Sequence, residues 1–173
     1  ASFNLTVQVT DNGTGTLTDT AAITVDIVGC LTNVVTSTAD SGACTLRDTI
    51  ATAATDSIIT FDAALKNATI VLATELLVDK NLIIEGSDRN ITVSGNSASR
   101  VFHVISGTAT LSRFTIADGF CRGSCSEGVK HGGGVYASSA SVLTFNHMIF
   151  RNNEAIRGGA VYNDFAEARY ENS

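Results

Sequence analysis

The sequence predicts an all-β chain whose larger part is a parallel β-helix, short strands wound turn upon turn. Three observations carry this. From Ser57 onward, short aliphatic runs are separated by Gly, Asn, Asp and Ser: IITF, TIVLA, LLV, NLIIEG, NITVSG, RVFHVI, ATLSRFTIADG, GGGVYA, SVLTFNHMIFRNN and GGAVYN. No stretch between them is long enough for a crossover helix, and two-residue hairpin signals are rare, which argues against βαβ units and against a meander. The runs also repeat. ITVSG at 91 aligns with FTIADG at 114, GGGVY at 132 with GGAVY at 158, and FTIADG with MIFRNN at 148, offsets of 23, 26 and 34 residues. The longest interval holds FCRGSCSEGVKHG, which reads as an insertion bulging from one turn. A period of about twenty-odd residues, with short strands and tight corners, is the signature of stacked turns.

The elements before this region follow in order. In FNLTVQVT, Phe3, Leu5, Val7 and Val9 alternate with Asn4, Thr6, Gln8 and Thr10, and AAITVDIV repeats the pattern with Ile23, Val25 and Ile27. The turn-forming DNGTGTLTDT lies between, so residues 1–28 read as two antiparallel strands with one half-buried face. Two strands alone are marginal in water, so this unit is expected to be an incomplete piece of a sandwich. Residues 29–56 read as a cap segment: Thr45 followed by Asp48 fits a helix N-cap with an acidic residue three positions on. Leu46, Ile50 and Ala53 or Ala54 then share one helical face, and such a helix suits the exposed end of a stack. Residues 57–173 hold the turns.

The 173 residues carry a net charge of −6 and a pI near 4.9, with 16% charged residues, no Pro, no Trp and one Met. This excludes the basic footprint of a nucleic-acid binder. No run approaches the ~18 apolar residues of a membrane span, and no basic n-region precedes an apolar stretch as in a signal peptide. The opening ASFNLTVQV reads as a start in mid-protein, from a processed product or an excised part. Four cysteines fall in two local pairs, Cys30/Cys44 and Cys121/Cys125. Zinc sites call for tighter paired spacing with nearby histidine, so disulfides are expected rather than metal ligands or free thiols. They imply an oxidising, extracellular compartment.

Two segments resemble known families. FNLTVQVTDNGTGTLTDTAAITVDI is similar to the closing strands of cadherin-like or Ig-like bacterial tandem repeats; Asp11, Asp19 and Asp26 are read there as solvated turn carboxylates ahead of a calcium site. CTLRDTI, with Cys44, Leu46, Arg47 and Asp48, resembles the CSLREA-type motif of large bacterial surface proteins, departing from it at Thr45 and at Asp48–Thr49. The later FRNN (Phe150, Asn153) and GGAVY (Gly158, Gly159) resemble the FxxN and GGA repeats of polymorphic outer-membrane-protein-like adhesins. The resemblance spans roughly residues 30–173 and implies a right-handed parallel β-helix with the first motif at its N-terminal edge. Members carry more such turns than this chain does, so an open C-terminal end is expected.

Catalysis on such a fold needs clustered carboxylates or a basic residue beside calcium-binding carboxylates. Glu85, Asp88 and Arg89 in EGSDRN, and Asp118 with Arg122, are the candidates, and neither set forms a tight constellation in sequence. His103, His131 and His147 have no ligand spacing, and no G-x-S-x-G elbow supports a serine nucleophile. HGGGV is repeated as RGGAV, which favours a structural corner. Asn4, Asn12, Asn67 and Asn90 begin N-x-[ST] sequons and are candidate glycosylation sites. Phe150 and Val161 are expected to point inward, with Asn152 or Asn153 at a left-handed corner. The expected function is a non-catalytic, cofactor-free structural or adhesive module of a bacterial surface fibre, self-associating head-to-tail through strand addition or end stacking, with a glycan or cell-surface receptor as further partner. The alternatives are a piece of a giant tandem-repeat adhesin, or a carbohydrate-binding or pectate-lyase-like β-helix.

Overall fold

The structure, a computed structural model, describes residues 2–10, 14, 18–26, 29–123, 125 and 130–171, the two strands within 2–26 as backbone only. The chain divides into two compact units, Ala1–Cys30 and Leu31–Ser173. In the first, β1 (Ser2–Thr10) and β2 (Thr18–Asp26) pair antiparallel, with Ser2 opposite Asp26 and Thr10 opposite Thr18. The strand pair is as the alternation predicts, although β2 starts before the AAITVDIV run.

Among its described residues the second unit is mostly β, with parallel strand pairing throughout, one short α-helix and two single 3-10 turns. Its strands fall into three ladders. The first joins β3 (Val34–Val35), β4 (Ser57–Phe61), β7 (Leu82–Glu85), the second halves of β9 (Phe102–Ser112) and β12 (Val135–Asn146), and β16 (Glu167–Glu171). The second joins β5 (Thr69–Val71), β8 (Thr92–Ser94), β10 (Thr115–Ala117) and β13 (Ile149–Arg151). The third joins β6 (Leu76–Val78), the first halves of β9 and β12, and β15 (Val161–Asn163). A short fourth pairing sets β11 (Phe120–Cys121) beside β14 (Glu154–Ala155). Parallel neighbours need a long connection; between β3 and β4 it holds α1, and from β4 onward it is supplied by strands of the other two ladders.

The sequence offsets are the pairing registers. Thr92 pairs with Thr115, 23 residues on, and Thr115 with Ile149, 34 on. Val135 pairs with Val161, 26 on. Like residues therefore stack on like. Ile59, Ile84, Leu111 and Phe145 are opposite one another in successive strands, each at most 1% exposed. Ile70, Val93 and Ile116 form a second buried column, which ends on half-buried Phe150. Phe150 and Val161 do pack on the core, without being fully enclosed.

Corners use left-handed backbone. Asn67, Asn90, Arg113 and His147, with φ of 63°, 52°, 59° and 51°, lead into the second ladder at matching positions. Asp118 and Asn152 leave it the same way, with φ of 50° and 54°. Asparagine and aspartate tolerate this conformation best. Asn153 then ties two turns together: its Nδ2 donates to the Ile116 carbonyl and its Oδ1 accepts from the Gly119 N–H, both at 2.9 Å. Asn153→Ala strands both backbone groups and is expected to lower unfolding free energy by about 1–3 kcal/mol. Asn153→Asp, which keeps only the acceptor, should fall between, as read by denaturant titration. Gly158 (φ 57°) has no room for a side chain, since a Cβ there would lie 2.2 Å from the Val161 carbonyl oxygen.

Helix α1 (Leu46–Thr52) starts as its sequence predicts. The Asp48 N–H donates to Thr45 Oγ1 at 3.2 Å, and Asp48 Oδ2 accepts from the Cys44 N–H. Leu46, Ile50 and Ala53 are buried in the common core, while Ala54 is exposed. Two differences from the sequence reading stand out. The cap segment contributes a strand, β3, to the first ladder, too short to show a period. RVFHVI and ATLS, like GGGVYA and SVLTFN, are joined into single long strands that bend between ladders, whereas the runs ATLSRFTI and SVLTFNHMIF are each broken by a corner, at Arg113 and His147. β9 bends at Gly107 (φ 79°), and β12 at a register irregularity between Ala137 and Ala140.

Candidate functional site

The site begins with strand alternation. Phe102 and Val104, and Val135 and Ala137, point into the core, so His103 and Tyr136 between them must point out. Leu77, His103, Tyr136 and Tyr162 are opposite one another on the third ladder. Leu77 is 50% exposed as an outward residue should be, yet His103 is 1% and Tyr136 4% exposed. Arg100 helps cover them.

Arg100 is itself 1% exposed. Its Nη1 donates to Glu75 Oε2 at 2.7 Å, its Nε to the Gly132 carbonyl at 2.9 Å, and its Nη2 to the His131 carbonyl at 2.9 Å. Nη2 also reaches Cys121 Sγ at 3.3 Å, and the guanidinium carbon lies 4.8 Å from the centre of the Tyr136 ring. A buried cation is tolerable only with this density of partners. The neighbours extend the network. Tyr136 Oη donates to Asp164 Oδ2 at 3.1 Å and stacks on Tyr162 with ring centres 6.0 Å apart. The His131 ring lies 4.3 Å from that of Tyr162.

Arg47 of the CTLRDTI motif meets this network from the other side. Its Nη1 and Nη2 donate to the Glu75 and Thr74 carbonyls at 2.7 and 2.6 Å, and Nη2 also pairs with Asp40 Oδ1 at 2.6 Å. Arg47 on α1 and Arg100 just before β9 thus grip one short segment, 74–75. A cleft of about 280 Å³ opens beside it, lined by Thr74, Glu75, Ser99, Arg100 and Cys125.

Glu75, His103 and Ser138 lie in series: Glu75 Oε1 is 3.6 Å from His103 Nδ1, and His103 Nε2 is 3.2 Å from Ser138 Oγ. These residue types match a carboxylate–imidazole–hydroxyl relay. The carboxylate contact exceeds hydrogen-bond range, and the other oxygen of Glu75 is taken by Arg100. The imidazole is buried beneath Tyr136, 5.0 Å between ring centres. The imidazole is thus held between Glu75, Ser138 and the Tyr136 ring.

His131 Nδ1 is buried with no hydrogen-bond partner among the described residues. Burial, then the positive charges of Arg157 and Arg100, push its pKa below the ordinary value, with Asp164 opposing. A histidine that resists protonation in the folded state leaves the unfolded chain binding more protons as pH falls. Stability should therefore drop as pH falls through about 6.5. His131→Gln should flatten that part of the pH–stability curve, measured as Tm between about pH 7.5 and 5.5.

The residues singled out from sequence are placed otherwise. Glu85 accepts from the Ser87 N–H at 2.7 Å, Arg89 Nε lies 3.5 Å from the Phe61 carbonyl, and Asp88 is exposed. Asp118 does not pair with Arg122: it accepts from Asn152 Nδ2 at 3.2 Å and Ser94 Oγ at 3.3 Å, while Arg122 pairs with Glu154. The candidate constellations are corner devices. A groove of about 460 Å³ includes Asp88, Asn90, Arg113 and His147, the last three being stacked corner residues. Asn67 and Asn90 are exposed, and Asn90 Nδ2 donates to Asn67 Oδ1 at 3.0 Å. Asp11 and Asn12 lie outside the described residues, as do the side chains of Asn4, Asp19 and Asp26. Among the described residues no group of three or more His, Cys, Asp or Glu side chains gathers as a metal site, and no helix is long and apolar enough to cross a membrane. Cys121 and Cys125 form a disulfide, and Cys30 and Cys44 are disulfide-bonded as well.

Sequence reasoning missed Arg100, Glu75 and Tyr136. The usable signal was the aligned pair His103 and Tyr136, polar-tipped aromatics at equivalent outward positions in VFHV and VYA. Compared with known proteins, the chain matches no family model, no curated protein and no solved structure.

Proposed function

We propose that the chain is a non-catalytic extracellular structural or adhesive module of a bacterial surface protein, and that residues 57–173 wind as a right-handed parallel β-helix capped by residues 29–56. The observation that carries this reading is the set of unbroken inward columns, Ile59–Ile84–Leu111–Phe145 foremost. When each turn buries its neighbour's side chains, stability adds turn by turn along one axis, which suits a spacer or fibre element. The polar cluster supports the same reading, because its charges are spent on one another and on backbone carbonyls. Arg47 gripping segment 74–75 fits the place that the CSLREA-type resemblance gives its motif, at the N-terminal edge. Disulfide-bonded cysteines fit an extracellular compartment.

Two features support head-to-tail self-association. Ile149, Ile156, Phe165 and Tyr170, all late in the chain, are 59%, 58%, 94% and 60% exposed. Among the described residues neither outer edge of the β1–β2 pair meets another strand, and in this reading residues 1–28 complete a neighbouring subunit by strand addition. A glycan or cell-surface receptor is the further partner. Light scattering and negative-stain imaging test the assembly: fibres are expected, lost in the double variant Phe165→Asp/Tyr170→Asp, and a persistent monomer defeats the head-to-tail reading. Labelling of Ser138 by a fluorophosphonate, or product release from a polysaccharide panel, defeats the non-catalytic reading.

A further inference from the structure

We infer that the Cys121–Cys125 disulfide is a thiol-exchange site, opened by a small thiolate attacking Cys125 with Cys121 as leaving group. The inference stands apart from the fibre reading and rests on the unequal surroundings of the two sulfurs. Cys121 lies on β11 and is 0% exposed. Cys125 is part-exposed and lines the cleft of about 280 Å³ with Thr74, Glu75, Ser99 and Arg100. An incoming thiolate therefore has access to one sulfur and not the other, and which sulfur is attacked decides the course of exchange.

The buried sulfur is also the better leaving group. Arg100 Nη2 lies 3.3 Å from Cys121 Sγ, held there by the bonds of Nη1 to Glu75 and of Nε to the Gly132 carbonyl. A fixed guanidinium beside a sulfur stabilises the thiolate and lowers its pKa, and a lower-pKa thiol leaves faster. The electron pair of the incoming RS⁻ forms the RS–Sγ bond to Cys125, the Sγ–Sγ bond breaks, and its pair stays on Cys121 Sγ as a thiolate facing Arg100. The incoming sulfur is oxidised to the disulfide level and Cys121 is reduced, with no other oxidant needed. The product is a chain bearing a covalently captured thiol at Cys125, and return of the Cys121 thiolate onto Cys125 releases it.

Two measurements test this on the intact chain. Incubation with reduced glutathione, acid quenching and peptide mapping should place glutathione on Cys125 with Cys121 free; glutathione on Cys121, or no mixed disulfide, overturns the inference. In Cys125→Ser, the Cys121 thiolate is read by its ultraviolet absorbance against pH, where the disulfide-bonded Cys30 and Cys44 are silent. Its midpoint should lie below the ordinary cysteine value of about 8.5. A midpoint at or above that value, the result of burial without help from Arg100, also overturns it.

Discussion

Arg100→Met is expected to lower the unfolding free energy by about 3–5 kcal/mol, the range for breaking a buried ion pair by removing one partner. The substitution roughly conserves side-chain length and apolar bulk, so the loss is electrostatic. It removes the guanidinium from Glu75, whose side chain is only 12% exposed, and from the His131 and Gly132 carbonyls. It also uncovers the face of Tyr136, against which the cation lies. Against a typical total of about 5–15 kcal/mol, this is enough to threaten folding at ambient temperature. Removing both partners should hurt less than the sum of the single changes. In a cycle of Arg100→Met, Glu75→Gln and the double variant, the coupling should be about 1–3 kcal/mol. Urea titration of the four proteins gives the answer, and strict additivity would show that Glu75 and Arg100 do not depend on each other.

The same cluster shows where sequence reading stops. The registers were legible because parallel stacking places equivalent residues on top of one another. Thr92 over Thr115 and Val135 over Val161 leave a visible repeat at their own spacing. The helix start was legible because Thr45 and Asp48 act locally, over three residues. Arg100, Glu75 and His103 act across turns, and no local pattern announces which outward face a long side chain will cover. Bends were misread for a different reason. Ser-Gly-Thr at 106–108 and Ser-Ser-Ala at 138–140 look like breaks between strands, but at Gly107 the chain turns from one ladder to the next while pairing on both sides of the bend. The carboxylate candidates are not brought together because corner side chains engage them first: Asp118 accepts from Ser94 Oγ and Asn152 Nδ2, not from Arg122.

Phe145→Ala is expected to cost about 3–5 kcal/mol, the usual range for emptying a fully buried aromatic site. Phe145 is 0% exposed and stands above Leu111 in the first ladder's inward column. Its ring meets Phe150 edge-on at 5.2 Å and Tyr170 at the same distance. The cavity cannot close cheaply, because β12 is bonded in register to β9 on one side and to β16 on the other, so its backbone is not free to sink inward. Tyr170→Ala, one position further along the same column, should cost far less, since that ring is 60% exposed. Phe145→Leu, which keeps most of the volume, should cost under about 1.5 kcal/mol. The ranking Phe145→Ala, then Phe145→Leu and Tyr170→Ala well behind, should appear as shifts in denaturant midpoint at constant slope. If Phe145→Ala moved the midpoint no more than Tyr170→Ala, the turns would not be stacked on a shared column, and the additive-turn account of this unit would fall with it.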